Sequence, residues 1–418
     1  MSPSRTTGRT RPVRPAEPVP YDRPSPSRTT RVPEEGPVAD SAPLAGPPGP
    51  LPALPIAPGR RRAGVLGAAV GVLAAGAAAG VAVERLTVGR SVRRRARLAL
   101  DATSPYGTLR GTPGTALATD GTPLAYEIED PYEDGAAPLA GEAPFTVVLS
   151  HGYCLNQDSW HHQRAALRGR ARAVYWDQRG HGRSGWTPGA PPPAIDRLGS
   201  DLKAVIDAAA PTGPLVLLGH SMGGMTVMAL AERYPDLVRE RVAGLGLVGT
   251  SAGRLDEVAW GLPAPGAEAL RRLAPGVLRA LGSAPALAER GRRAVTDVFG
   301  TLVRRYSFGA GAETDPVLAR FATRMIEATP MEVVAAFWPA FAAHDKTAAL
   351  PLLRGRPAFV LAGTDDLITP ASHSRALASA LPEADLTLVP GAGHLVLLER
   401  PDEVNAAMTG LLEAVARR

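Results

Sequence analysis

Three side chains in this 418-residue chain have the types and order for nucleophilic chemistry: Ser221, Asp366 and His394. Ser221 lies in Gly219-His220-Ser221-Met222-Gly223, a G-x-S-x-G run with "PLVLL" before it and "MTVMALAERY" after it. That context reads as a strand, a sharp turn and an amphipathic helix, which presents the hydroxyl at the turn. The first N–H groups of such a helix face any negative charge that develops there. Gly219 and Gly223 remove Cβ atoms that would clash in the turn, and Gly224 lets the helix pack closely. Taken alone, the same residues also describe an N-capping serine in a glycine-rich turn.

A serine nucleophile needs a base, and the base needs an orienting carboxylate. His394 lies in "VPGAGHLVLLERPDEV", in a glycine-rich loop between a strand-like run and a terminal helix. "VLAGTDDLITP" ends another strand-like run with two aspartates. Asp366, three residues after Gly363 and four before Pro370, is the expected partner of His394, with Asp365 as the alternative. Asp side chains also build turns, and an isolated loop histidine is commonplace. The order Ser…Asp…His, each at the C-terminal end of a strand, is what joins them into one site. The backbone N–H groups of Tyr153, just after His151-Gly152, and of Met222 are placed to receive an oxyanion. In "VYWDQRGHGRS", Asp177, Arg179 and Ser184 are expected to brace a loop beside the site without a chemical role. Cys154 is the single cysteine; it lacks a strand–turn–helix context and reads as a small space-filler.

No metal or cofactor is expected. The eight histidines are dispersed, H-E-x-x-H is absent, and "GTPGTALATDGT" lacks the Lys and the following helix of a phosphate-binding loop. His161-His162 reads as a pair on a helix surface.

The elements that must position these residues follow from the apolar pattern. "TALATD" and "TPLAYEIED" form two strands joined at Asp120-Gly121. "FTVVLS", "ARAVYW", "PLVLLG", "VAGLGLVG", "AFVLAG" and "DLTLVP" are continuous apolar runs, each followed by a helical pattern. Continuous runs suit strands buried on both faces, and their alternation with helices indicates an α/β fold on a parallel sheet. Residues 115–250 and 350–418 make this core, and 251–349 interrupt it with an Ala-, Leu- and Arg-rich helical insertion read as a cap. Its Trp260, Phe337, Trp338 and Phe341 are candidates for an apolar acyl pocket, or for ordinary core.

The N-terminal region is of another kind. Residues 1–58 are rich in Pro, Arg, Ser and Gly and are expected to be disordered. Residues 63–83 carry no charged or polar side chain, a length suited to one transmembrane helix. Two alternatives stand beside that reading: a secretory signal, with Ala77-Ala78-Ala79 as a cleavage site, and a soluble Ala-rich helix. Gly67/Gly71 and Gly76/Gly80 form GxxxG pairs suited to a homodimer of such helices. Residues 84–114 form a basic juxtamembrane linker with Arg85, Arg90, Arg93, Arg94, Arg95 and Arg97, against Arg60, Arg61 and Arg62 on the other flank. The richer flank favours a cell-membrane protein with a cytoplasmic C-terminal domain. The net charge of +6 collects in these segments and on the helices of the insertion, without interleaved aromatics, which argues against nucleic acid as a partner.

His151-Gly152, "DQRGHGRS", "GHSMGG", "GTDDLITP" and "GAGH" together make the chain from about Thr115 to Arg418 resemble the α/β-hydrolase superfamily, near its esterase, haloperoxidase-like and carbon–carbon hydrolase branch. The resemblance implies a mostly parallel eight-stranded sheet, a triad of Ser221, Asp366 and His394, and a cap between the sixth strand and the strand bearing the acid. A serine, and not an aspartate, at position 221 points to acyl chemistry. The expected reaction is hydrolysis of a small, apolar carboxylic ester. Carbon–carbon or thioester hydrolysis uses the same triad, and a catalytically silent membrane-linked scaffold is the reading from another class.

Overall fold

The computed structural model describes residues 104–131, 145–187, 193–259, 261–269, 272, 273, 276, 304–310 and 314–418. The expected tail at 1–58 and apolar segment at 63–83 lie outside the described residues, as does Trp260. Among the described residues no helix is long and apolar enough to cross a membrane.

Eight strands form one sheet: β1 (Thr112–Leu117), β2 (Pro123–Glu129), β3 (Thr146–Ser150), β4 (Arg172–Trp176), β5 (Leu215–His220), β6 (Val242–Val248), β7 (Ala358–Gly363) and β8 (Ala384–Val389). Their order across the sheet is β1-β2-β4-β3-β5-β6-β7-β8. β1–β2 and β2–β4 pair antiparallel, and every pairing from β4 through β8 is parallel. The helices with described limits are α1 (His161–Leu167), α2 (Ile195–Ala209), α3 (Met222–Arg233), α4 (Pro235–Arg241), α5 (Pro316–Ala328), α6 (Met331–Ala342), α7 (Ala371–Ala380), the single turn α8 (Val396–Glu399) and α9 (Pro401–Ala416). Between β6 and β7 the described residues form helices, turns and loops and contain no strand.

The continuous apolar runs are explained by burial on both sides. Val147, Leu149, Val216, Leu218 and Leu361 point into one core layer, and Val148, Leu217, Leu245, Leu247 and Val360 into the other. Each strand therefore fills two layers with alternate residues.

Two strands depart from the sequence expectation. β1 covers Thr112–Leu117, so Ala118–Thr122 is its turn: Ala118 N–H donates to Thr122 O and Gly121, at φ +80°, donates to Ala118 O. β8 is the sheet edge, and Asp385, Leu386 and Thr387 are exposed. An apolar run cannot distinguish a central strand from an edge strand that has only one neighbour.

The order of strands reverses its direction of growth between β3 and β5. In parallel sheets a crevice opens there, at the strands' C-terminal ends. Ser221 follows β5 and His151 follows β3 at that crevice, while Asp366 and His394 follow β7 and β8 on the same edge.

Candidate active site

Ser221 takes φ +52° and ψ −119°, a conformation that costs a non-glycine residue about 1–3 kcal/mol. The surroundings hold it there. Its N–H donates to Val248 O at 2.9 Å, and its carbonyl accepts from Thr250 Oγ1 at 2.7 Å and from Gly224 N–H at 2.9 Å. The glycines act as the motif suggested. A Cβ on Gly219 would sit 2.5 Å from Gly224 N, one on Gly224 would meet Thr250 Cγ2 at 2.6 Å, and one on Gly223 would overlap Ser150 O.

As an N-cap, Ser221 makes no side-chain capping bond to α3. Its Oγ lies instead 2.9 Å from His394 Nε2. His394 Nδ1 lies 2.8 Å from Asp366 Oδ2. All three side chains are buried. Asp365 turns away: its carboxylate accepts from Ala310 N–H and Thr364 Oγ1. Burial pushes the Asp366 carboxyl up, but His394 and the donors of Thr369 outweigh it and hold the group below the usual carboxylate range.

The loop after β3 brings Gly152 against the serine, where a Cβ would lie 3.2 Å from Ser221 Cβ, and Tyr153 follows it in the chain. Cys154, at φ +58°, turns that loop sharply. Burial pushes its thiol up to about 12, so it is a thiol and not a thiolate at neutral pH. Met222 is the first residue of α3, where backbone N–H groups have no acceptor within the helix.

Asp177, Arg179 and Ser184 brace the neighbouring loop. Asp177 accepts from the N–H groups of Gln157 (2.8 Å) and Arg183 (2.9 Å), and Ser184 Oγ accepts from Ala125 N–H. Arg179 forks onto Asp201 at 2.5 and 2.6 Å and reaches Asp120 at 2.9 Å. Of the aromatic candidates, Phe337 is core, packed with Met222, Met225 and Val333 where α6 covers α3. Phe341 stacks edge-on against Tyr153 at 4.9 Å, and Trp338 is half-buried. His161 and His162 are half-buried, not on the open helix surface, because Tyr106 packs edge-on against both rings.

Four residues near the site carried no sequence signal. Gln178 donates its N–H to His151 Nε2 at 2.9 Å and accepts from Thr226 Oγ1 at 2.7 Å, tying the β3 and β4 loops to α3. His220 Nε2 donates to His394 O at 3.0 Å. Thr369 Oγ1 donates to Asp366 Oδ2 at 2.8 Å. Glu399 accepts from Gly393 N–H at 2.8 Å and from Gly309 N–H at 3.2 Å, and Leu395 N–H donates to Ser307 O at 2.7 Å. These last bonds strap the His394 loop to Ser307–Gly309.

A serine, an imidazole and a carboxylate in this relay can raise the nucleophilicity of a hydroxyl and return its proton to a leaving group. A family model described as the alpha/beta hydrolase fold matches residues 146–401. The chain is 28% identical over 298 residues to an sn-1-specific diacylglycerol lipase of Mus musculus, covering 69% of this chain and 85% of that protein. It is 29% identical over 276 residues to a dihydrolipoyllysine-residue acetyltransferase component of an acetoin cleaving system from Pseudomonas putida, covering 66% of this chain and 65% of that protein. Among solved structures, a thermophilic esterase from Thermogutta terrifontis is similar with a TM-score of 0.56 and 27% identity, covering 73% of this chain and 99% of that one.

Proposed function

The chain belongs to the alpha/beta hydrolase family, and on that premise we propose that it hydrolyses carboxylic esters through an acyl-enzyme on Ser221. The observation that carries this reading is the unbroken relay from Ser221 Oγ through His394 to Asp366, at 2.9 and 2.8 Å, from a serine in strained backbone geometry. His394 Nε2 takes the Ser221 proton as Oγ attacks the ester carbonyl. The backbone N–H groups of Tyr153 and Met222 receive the oxyanion that forms. His394 then delivers the proton to the departing alkoxide, leaving the acyl group on Ser221. Water, deprotonated by the same imidazole, completes the cycle, and Asp366 holds the ring in its Nδ1–H tautomer throughout.

The esterase and the lipase among the similar proteins support ester chemistry, and an acetyltransferase component among them shows that likeness alone does not choose the substrate. The test is labelling with a fluorophosphonate probe, beside hydrolysis of short and long p-nitrophenyl esters. Wild type is expected to label and turn over, and Ser221→Ala and His394→Ala to do neither. A folded wild-type protein that neither labels nor cleaves any ester overturns the reading in favour of a silent scaffold.

A further inference from the structure

The Asp366 carboxylate is saturated with donors. Oδ1 accepts the N–H groups of Ile368 at 2.8 Å and Thr369 at 2.9 Å. Oδ2 accepts His394 Nδ1–H at 2.8 Å and the hydroxyl of Thr369 at 2.8 Å. Thr369 is 1% exposed, so no solvent replaces its hydroxyl. Its Oγ1 also lies 3.4 Å from His394 Nδ1, closing a triangle with the two triad members. Nδ1 directs its own proton at the carboxylate, so the single proton of Thr369 belongs on Oδ2.

We propose that Thr369 is a positioning residue that shares Oδ2 with His394 and thereby sets the pH at which the imidazole becomes competent as a base. The proposal rests on the serine-hydrolase reading above. A donor on Oδ2 spreads the carboxylate's charge and weakens its pull on a protonated ring. Without it, Oδ2 binds the charged ring more strongly, and the ring holds its second proton to higher pH.

The other titratable groups facing this pair do not account for that step. His220 of β5 stands with its ring 5.0 Å from that of His394, and burial pushes it down to about 3. His151, after β3, is pushed down by burial to about 4. His373 on α7 interacts with Asp366, and burial lowers it also. Asp365 is bonded to Ala310 N–H, and Glu399 faces the backbone of Gly393.

Two readouts test the proposal in Thr369→Val and Thr369→Ser. One is the NMR titration of the His394 ring, identified by the signals lost in His394→Ala. The other is the pH profile of kcat/KM on p-nitrophenyl acetate. Thr369→Val is expected to move the NMR midpoint and the acid limb upward by about half a pH unit or more, and Thr369→Ser to keep both at the wild-type position. An unchanged or lowered midpoint in Thr369→Val overturns the proposal, as does a serine variant that shifts as far as the valine one. Should Thr369→Val fail to fold by circular dichroism, Thr369→Ala deletes the hydroxyl with less bulk and carries the same expectation. Fluorophosphonate labelling of wild type separates the two ideas. A missing label with a clear NMR shift removes the serine-hydrolase reading alone, and a normal label without a shift removes the role of Thr369 alone.

Discussion

Ser221 Oγ and His394 Nε2 lie 2.9 Å apart across 173 positions of sequence. Two independent constraints produce that approach. The turn at φ +52° lifts the serine out of the β5–α3 axis, and His220 Nε2 holds the backbone of His394 over it. The first constraint is energetically unfavourable for any residue with a Cβ. Ser221→Gly should therefore abolish ester hydrolysis while raising stability by about 1 kcal/mol, read as a higher denaturation midpoint in urea. A glycine variant less stable than wild type would show that the turn is unstrained.

The two aspartates can be separated by the same assay. Asp366→Asn keeps the shape of the side chain but withdraws the charge from His394, and kcat should fall by roughly 10³–10⁴. Asp365→Asn should stay within about threefold of wild type, since among the described residues Asp365 accepts from Ala310 and Thr364 and not from His394. The reverse ranking would assign the acid to Asp365.

Stability should decline steeply on mild acidification. Burial pushes His151 down to about 4, and His181 and His220 down to about 3, against an ordinary value near 6.5. A folded-state value below the unfolded one means that the unfolded chain takes up protons first. The stability these groups allow is complete above about pH 6.5 and is lost as pH falls toward their folded values. Three such groups give roughly 3–4 kcal/mol per pH unit around pH 5.5. Urea denaturation at pH 7.5, 6.5 and 5.5 measures the slope, and a flat profile would contradict the burial of these rings as neutral bases.

For residues 63–83, which lie outside the described residues, we propose the role of a single membrane anchor with the hydrolase domain on the cytoplasmic side. The full chain is expected to sediment with membranes, to resist 1 M salt and carbonate, and to dissolve in detergent. A chain starting at residue 104 should remain in the supernatant. Release by salt alone would assign the attachment to the arginines at 85–97, and Gly71→Leu with Gly76→Leu tests whether the GxxxG pairs hold a dimer.

Much of this was legible from the sequence for identifiable reasons. Buried parallel strands need apolar residues at every position, so β3, β5, β6 and β7 announce themselves. The elbow glycines are legible because no other residue fits where Gly223 meets Ser150 O. Asp366 could be preferred over Asp365 only by its offset from Gly363 and Pro370. What stayed hidden depends on partners brought from afar. Thr369 looks like any loop threonine until it closes on His394, and Glu399 looks like a surface helix residue until Gly309 arrives from 90 positions away. The limit of β1 was missed because Ala118 and Thr119 suit a strand as well as a turn. The exposure of β8 was missed because edge position is a property of the sheet.

The strap from Ser307 to Gly309 fixes where this enzyme can be re-engineered. Leu395 N–H rests on Ser307 O, and Glu399 gathers the N–H groups of Gly309 and Gly393. Those few residues of the insertion act as the mortise into which the histidine loop is fitted. A foreign insertion spliced in from Gly253 to Tyr306 inherits a seated histidine, whereas a splice that runs past Gly309 exchanges the seat as well. Chimeras differing only in that second junction should share a substrate range and differ in turnover.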